Sequence, residues 1–143
     1  MTDGPGAASK LSFVNPPALF KIPGLTHVVE ATGSGRTVFV GGQLGLDGAG
    51  RIVGAPGDFQ AQATQAFENL KAALAAVGGG MGHLVKITNY LVDVPRHFPI
   101  FRQVRDRYVS RDNPPASTLV QVSCLALDGL LFEIEAIAIL PPI

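Results

Sequence analysis

The sequence predicts one α+β domain, a mixed sheet with two helices on one of its faces, and three observations carry that reading. Five stretches are strand-like, and two show the three-four apolar spacing of an amphipathic helix. Their order is strand, strand, helix, strand, helix, strand, strand, and two helices can cover only one face of such a sheet. The length of 143 residues suits one domain with a sizeable core and is short for two, so residues 1–143 read as a single unit.

Residues 1–10 contain no apolar signal segment and read as a flexible lead-in. Residues 27–32 and 36–41 read as strands joined by Gly33-Ser34-Gly35, a turn-forming triplet, and therefore as a hairpin. Asp58 follows Pro56-Gly57 as an N-cap, and apolar residues then fall at Phe59, Ala63, Ala66, Phe67, Leu70, Leu74 and Val77, ahead of Gly78-Gly79-Gly80. That spacing gives an amphipathic helix of about five turns. Residues 84–92 are β-rich, Pro95 closes them off, and a second helical pattern runs through Phe98, Phe101, Val104, Arg105 and Tyr108. Asp112-Asn113-Pro114-Pro115 is an extended turn, because each proline fixes its own φ and biases its predecessor away from helix. Two strands, 118–126 and 130–140, finish the chain around Asp128-Gly129, a strong hairpin signal.

Eleven basic and eleven acidic residues cancel, which leaves no basic footprint for nucleic acid and no patch for acidic lipid. Charged residues make up only 15% and hydrophobic ones 47%, so some apolar surface is expected to be covered by other subunits. The last two strands point the same way: Leu119, Gln121, Ser123 and Leu125 alternate with Val120, Val122 and Cys124, leaving both faces largely apolar. Closed cyclic assembly through the helix-free face accounts for that pattern most simply. Cys124 is the single cysteine, so no intrachain disulfide forms and a reducing cytoplasm is the expected location. No run approaches 18 apolar residues, so no membrane span is expected.

In the segment Phe132-Glu133-Ile134-Glu135-Ala136-Ile137-Ala138-Ile139, two carboxylates share one face of an otherwise apolar strand. Strand rise places them roughly 6 to 7 Å apart. Either both face water on an exposed edge, or they occupy a polar pocket at one end of a protein-facing surface, where charge must be paired or used. Other motifs fail on inspection. Gly33-Ser34-Gly35 lacks the third glycine of a dinucleotide fingerprint and opens a strand, while Gly78-Gly79-Gly80 caps a helix. His27, His83 and His97 have no ligand spacing, so neither metal nor cofactor is expected. Cys124 reads as a small core residue, since nothing nearby in sequence would activate it.

Taken together, Val38-Phe39-Val40-Gly41-Gly42-Gln43, the glycine-terminated helix, Lys86-Ile87-Thr88-Asn89-Tyr90-Leu91-Val92-Asp93, Pro114-Pro115-Ala116-Ser117-Thr118 and the segment from Phe132 to Ala138 resemble the Rid family. These are reactive intermediate deaminases, also known as YjgF. The resemblance implies a chorismate-mutase-like fold with ferredoxin-like βαβ units, a homotrimer, and small-molecule clefts between subunits. It implies hydrolysis of imines and enamines such as 2-aminoacrylate. It also implies that Glu133 handles the attacking water, as base and then as acid toward departing ammonia, and that the Gly42 N–H contacts substrate.

Where the deaminase branch carries an arginine that clamps the substrate carboxylate, this chain has Ser117, and a hydroxyl cannot neutralise a carboxylate. A cysteine of that branch corresponds to Leu119, a cleft tyrosine falls near Leu25, and a cleft asparagine corresponds to Arg102. Arg102 either supplies a positive charge from a different wall or, on a helix that also carries Arg105, Asp106 and Arg107, is a solvated surface residue. Two functions of different class are therefore in play. One is a hydrolytic deaminase of imine- or enamine-like metabolites, poor on 2-aminoacrylate. The other is a non-catalytic trimeric protein that binds a small ligand or regulates. An RNA-cleaving role, also attached to some relatives, is disfavoured by neutral charge and the lack of an aromatic stacking platform.

Overall fold

A computed structural model describes residues 9–143, so most of the expected lead-in over residues 1–10 lies outside the described residues. Lys10 already opens β1 (Lys10–Val14), which pairs antiparallel with β2 (Val28–Thr32) as a two-stranded ribbon. The main sheet has the order β3-β6-β4-β5, built from β3 (Arg36–Leu44), β4 (Leu84–Leu91), β5 (Ala116–Gln121) and β6 (Phe132–Leu140). β6 is antiparallel to both its neighbours and β5 is parallel to β4, so β3, β4 and β5 share one direction. Parallel strands need long crossovers, and two helices supply them: α1 (Phe59–Ala75) between β3 and β4, and α2 (Val94–Tyr108) between β4 and β5.

Neither expected hairpin forms. β2 pairs with β1 instead of β3, and β4 lies between β5 and β6. Gly33 (φ +83) and Gly129 (φ +90) do turn the chain, but a turn fixes a reversal and leaves the neighbour to packing. Phe132, Ile134, Ala136, Ala138 and Leu140 of β6 are all buried, and such a strand gains most inside the sheet with partners on both edges. The strand expected over 118–126 ends at Gln121, and Cys124 is exposed in the connection, outside the core. Pro95 sits in the first turn of α2, where its missing N–H would have no helical partner anyway.

Both helices lie on one face. α1 starts where Asp58 Oδ1 accepts from Ala61 N at 3.0 Å. It ends where Gly79 N donates to Leu74 O and Gly78 N, at φ +80, donates to Ala75 O. Phe67 of α1, Phe101 of α2 and Phe132 of β6 meet with ring centroids 5.6 to 6.5 Å apart and are essentially unexposed. Each such buried side chain contributes about 1.5–3 kcal/mol. Because residues alternate along β6, this packing sends Glu133, Glu135, Ile137 and Ile139 to the opposite, helix-free face. Among the described residues no helix is long and apolar enough to cross a membrane.

Candidate functional site

On the helix-free face, Glu133 stands opposite Leu44 on one side and Tyr90 on the other. The β3–β6 register shifts between Val40 and Gln43, so Gly41 and Gly42 form an irregularity beside Glu133. A Cβ at Gly42 would collide with Oε1 and Cδ of Glu133, so the carboxylate occupies space that only glycine leaves open. Glu133 is half-buried, and no donor among the described residues hydrogen-bonds to its carboxylate. Glu135 differs: it accepts from Tyr90 Oη at 2.9 Å. That bond, together with burial and the charges of Glu135 and Glu133, raises the Tyr90 pKa above its ordinary 10.0. Of the two carboxylates, one is committed to a phenol and the other is available to water. An available carboxylate beside open backbone can take a proton from water and return it to a leaving amine. Glu135 also lines, with Phe39, Lys86, Thr88 and Ile137, a shallow cleft of about 420 Å³ on this face.

Ser117 and Leu119 lie on the other face, in register with Ile87 and Asn89, both buried beneath the helices. With Leu25, Val94, Phe98 and Phe101 they line a mainly apolar cavity of about 350 Å³. The cation in that lining is Arg105. Arg102 instead holds its guanidinium 5.9 Å from the Phe98 ring centroid and lines an adjoining cavity of about 280 Å³ with Arg105, Asp106 and Arg111. Arg105 is only 8% exposed; Nε and Nη2 donate to Asp106 Oδ1 at 3.1 and 2.9 Å. Its guanidinium rests on Gly24, at φ +85, where a Cβ would collide with it. Ser117 is fixed by Asn89, whose Nδ2 donates to Ser117 Oγ and to Thr118 O, each at 3.1 Å. Asn89 Oδ1 is buried without a partner, which costs about 1–3 kcal/mol, so packing alone does not account for an asparagine there.

One copy of the chain thus brings Glu133 to Gly42, and Ser117 to Leu119, Leu25 and Arg105, with the sheet between the two groups. Sequence reasoning places Arg105 in the apolar stripe of the second helix without a role in the site. A charge on that stripe is the signal that marks it, since buried charge must be paired or used. The histidines serve separate structural ends. His97 stacks on Phe59 at 4.5 Å with Nδ1 2.6 Å from Val92 O, His83 Nδ1 accepts from Gly80 N, and His27 Nε2 lies 2.7 Å from Phe20 O.

A mixed sheet with two crossover helices on one face and a glutamate seated on a glycine irregularity on the other defines the class: a chorismate-mutase-like α+β domain. The family model described as endoribonuclease L-PSP matches residues 21–140. Protein DfrA of Myxococcus xanthus is 42% identical over 106 residues, spanning 74% of this chain and 78% of that protein. A Rattus norvegicus protein named 2-iminobutanoate/2-iminopropanoate deaminase is 37% identical over 108 residues, 75% of each chain. The crystal structure of a Rid-family protein, YyfB from Yersinia pestis, superposes with a TM-score of 0.81 at 34% identity, covering 91% of this chain and 98% of that one. The chain belongs to the Rid/YjgF family.

Proposed function

We propose that the protein hydrolyses small imine- or enamine-like metabolites to a carbonyl compound and ammonia, in a cleft between copies of a homotrimer. The observation that carries this reading is the unengaged Glu133 carboxylate seated against Gly42. Glu133 takes a proton from water as the oxygen adds to the C=N carbon. It returns that proton to the nitrogen to give a carbinolamine, then takes the hydroxyl proton and delivers it to the nitrogen as the C–N bond breaks, so that the carbonyl forms, ammonia leaves and Glu133 is ionised as it began. The step uses only water and this side chain, without a cofactor. Relatives named as 2-iminobutanoate/2-iminopropanoate deaminases support the same chemistry. Trimer assembly is supported by Phe39, 76% exposed on the helix-free face, and by the sheet between Glu133 and Ser117, which a neighbouring copy can bridge. A lone, exposed Cys124 suits a reducing cytoplasm. The neutral net charge gives no support to RNA binding, despite the wording of the family model.

Slow turnover of 2-aminoacrylate is expected, because Ser117 stands where the clamp arginine would be. Losing a charged partner at such a pair costs about 3–5 kcal/mol, or two to four orders of magnitude. A pyridoxal-phosphate-dependent dehydratase coupled to semicarbazide trapping measures this, and efficient removal of 2-aminoacrylate would contradict the weight given to position 117. The same substitution favours the second reading, a non-catalytic trimeric binder or regulator. Glu133→Gln separates the two. It keeps shape and most hydrogen bonding while removing proton transfer, so a hydrolase loses about 10²-fold or more in kcat with assembly intact. A folded, assembled Glu133→Gln variant with wild-type turnover, on whatever substrate an imine screen reveals, ends the catalytic assignment.

A further inference from the structure

We propose that the cavity between the C-terminal part of α2, the segment that follows it and the Pro23-Gly24 turn binds a phosphate dianion, free or carried on a small metabolite. Arg102, Arg105, Arg111 and Ser110 are its donors. The site goes beyond the hydrolytic reading and needs nothing from it, since Glu133 and Gly42 lie across the sheet from α2. Three arginines line about 280 Å³ of concave space, and Asp106 is the single carboxylate in that lining. Asp106 engages Nε and Nη2 of Arg105, which leaves Arg102 and Arg111 without an acidic partner among the described residues. Like charges gathered in one concavity repel, and an anion seated there is attracted to all of them. The dipole of α2 explains basic residues in its last turn, where Arg105 and Arg107 stand. It does not explain the other two: Arg102 precedes that turn, and Arg111 lies beyond the helix end at Tyr108 yet returns to the same cavity.

Two of the cations are held in place. Arg102 Cζ stands 5.9 Å from the Phe98 ring centroid and Arg105 Cζ 5.7 Å from that of Phe101, so both guanidiniums rest on aromatic rings along one side of α2. Gly24, at φ +85, lets the chain close against Arg105, where a Cβ would collide with the guanidinium. Arg105 uses two of its five N–H donors on Asp106 and keeps the others. Ser110 Oγ accepts from Asn113 N at 3.1 Å, so its hydroxyl proton is left to donate. Asp106 apart, every polar side chain in the lining therefore has a donor to offer. A carboxylate brings two oxygens and one charge. A phosphate monoester brings three acceptor oxygens and a charge of about −1.5 to −2 at neutral pH, which three guanidiniums and a hydroxyl match better. Pro23 and Val109 add a small apolar contact for whatever the phosphate is attached to.

Phenyl phosphate is the probe, with phenyl sulfate as its monoanionic counterpart, each titrated calorimetrically into the intact protein at about pH 7.5 and about 0.15 M salt. Phenyl phosphate is expected to saturate wild type and to bind at least tenfold more tightly than phenyl sulfate. Arg102 and Arg111 are exposed, so Arg102→Gln and Arg111→Gln spare the core, and each is expected to weaken phenyl phosphate at least fivefold. Arg111 lines this cavity and not the one at Ser117, so its variant locates the ligand. Lys71→Gln removes the same charge from an exposed position on α1 and is expected to change the affinity less than twofold. Inorganic phosphate that binds as tightly as the ester supports a site for the free ion, and weaker inorganic phosphate supports one for a phosphorylated metabolite. No saturable phenyl phosphate binding, equal affinity for phenyl sulfate, or unchanged affinity in Arg111→Gln would overturn the proposal. So would a loss in Lys71→Gln as large as that in Arg111→Gln, which marks general attraction to positive charge. Glu133→Gln is expected to bind phenyl phosphate as wild type does, whatever that variant does to turnover.

Discussion

A side chain at position 42 and the carboxylate of Glu133 compete for one volume, and glycine settles the competition in favour of the carboxylate. Gly42→Ala is expected to push Glu133 aside by roughly an ångström, enough to cost a positioned group about 10²-fold in rate. Stability should change by less than about 0.5 kcal/mol, because the first atoms met are the far end of a half-exposed, flexible side chain. Turnover and thermal melts on the same preparation check this, and unchanged kcat would show that the Glu133 position is not critical. Glu133 was legible in the sequence because alternation along an apolar strand sets two carboxylates on one face, whereas Gly42 entered only through the family resemblance. Arg105 was legible only as a charge on an apolar stripe. Nothing in the sequence says that Gly24, eighty residues upstream, leaves the space in which its guanidinium lies.

Helices proved easier to read than strand partners, and the cause is the range of the forces involved. The α1 pattern from Phe59 to Leu74, its Asp58 cap and its glycine terminus are all local, so sequence spacing decides them. Strand pairing is decided by sheet-wide burial: β6 is buried along its helix side and belongs between β3 and β4, whatever turn precedes it. β1 escaped notice because its five residues alternate only through Leu11 and Phe13. The local character of α1 gives a clean test. Asp58→Ala removes the acceptor for Ala61 N and should cost about 1 kcal/mol, seen as a Tm lowered by a few degrees with catalytic constants unchanged. A loss of activity without a fall in Tm would mean that the cap region acts on the site directly.

At the scale of the whole molecule, the sheet divides the chemistry: Glu133 on one face, Ser117 and Arg105 on the other. A single copy offers no route for one small molecule to meet both. The helix-free face also carries Phe39, 76% exposed, with Ile137 and Ile139 partly exposed beside it, an apolar patch of the kind that soluble monomers rarely leave uncovered. Closed assembly through that face addresses both facts at once, since it covers the apolar patch and presents Glu133 to a neighbour. Sedimentation equilibrium should therefore return three times the 14.9 kDa chain mass at micromolar concentration. Phe39→Asp places a charge in the proposed interface, and burying an unpaired carboxylate costs several kcal/mol per copy. The variant should sediment as a monomer with its far-ultraviolet circular dichroism retained, because Phe39 contributes nothing to the helix-side core. It should also lose turnover, although Glu133, Gly42 and Arg105 are untouched. A wild-type protein that is monomeric at those concentrations, or a monomeric Phe39→Asp variant with full activity, would place the working site within one chain and remove the between-copy cleft.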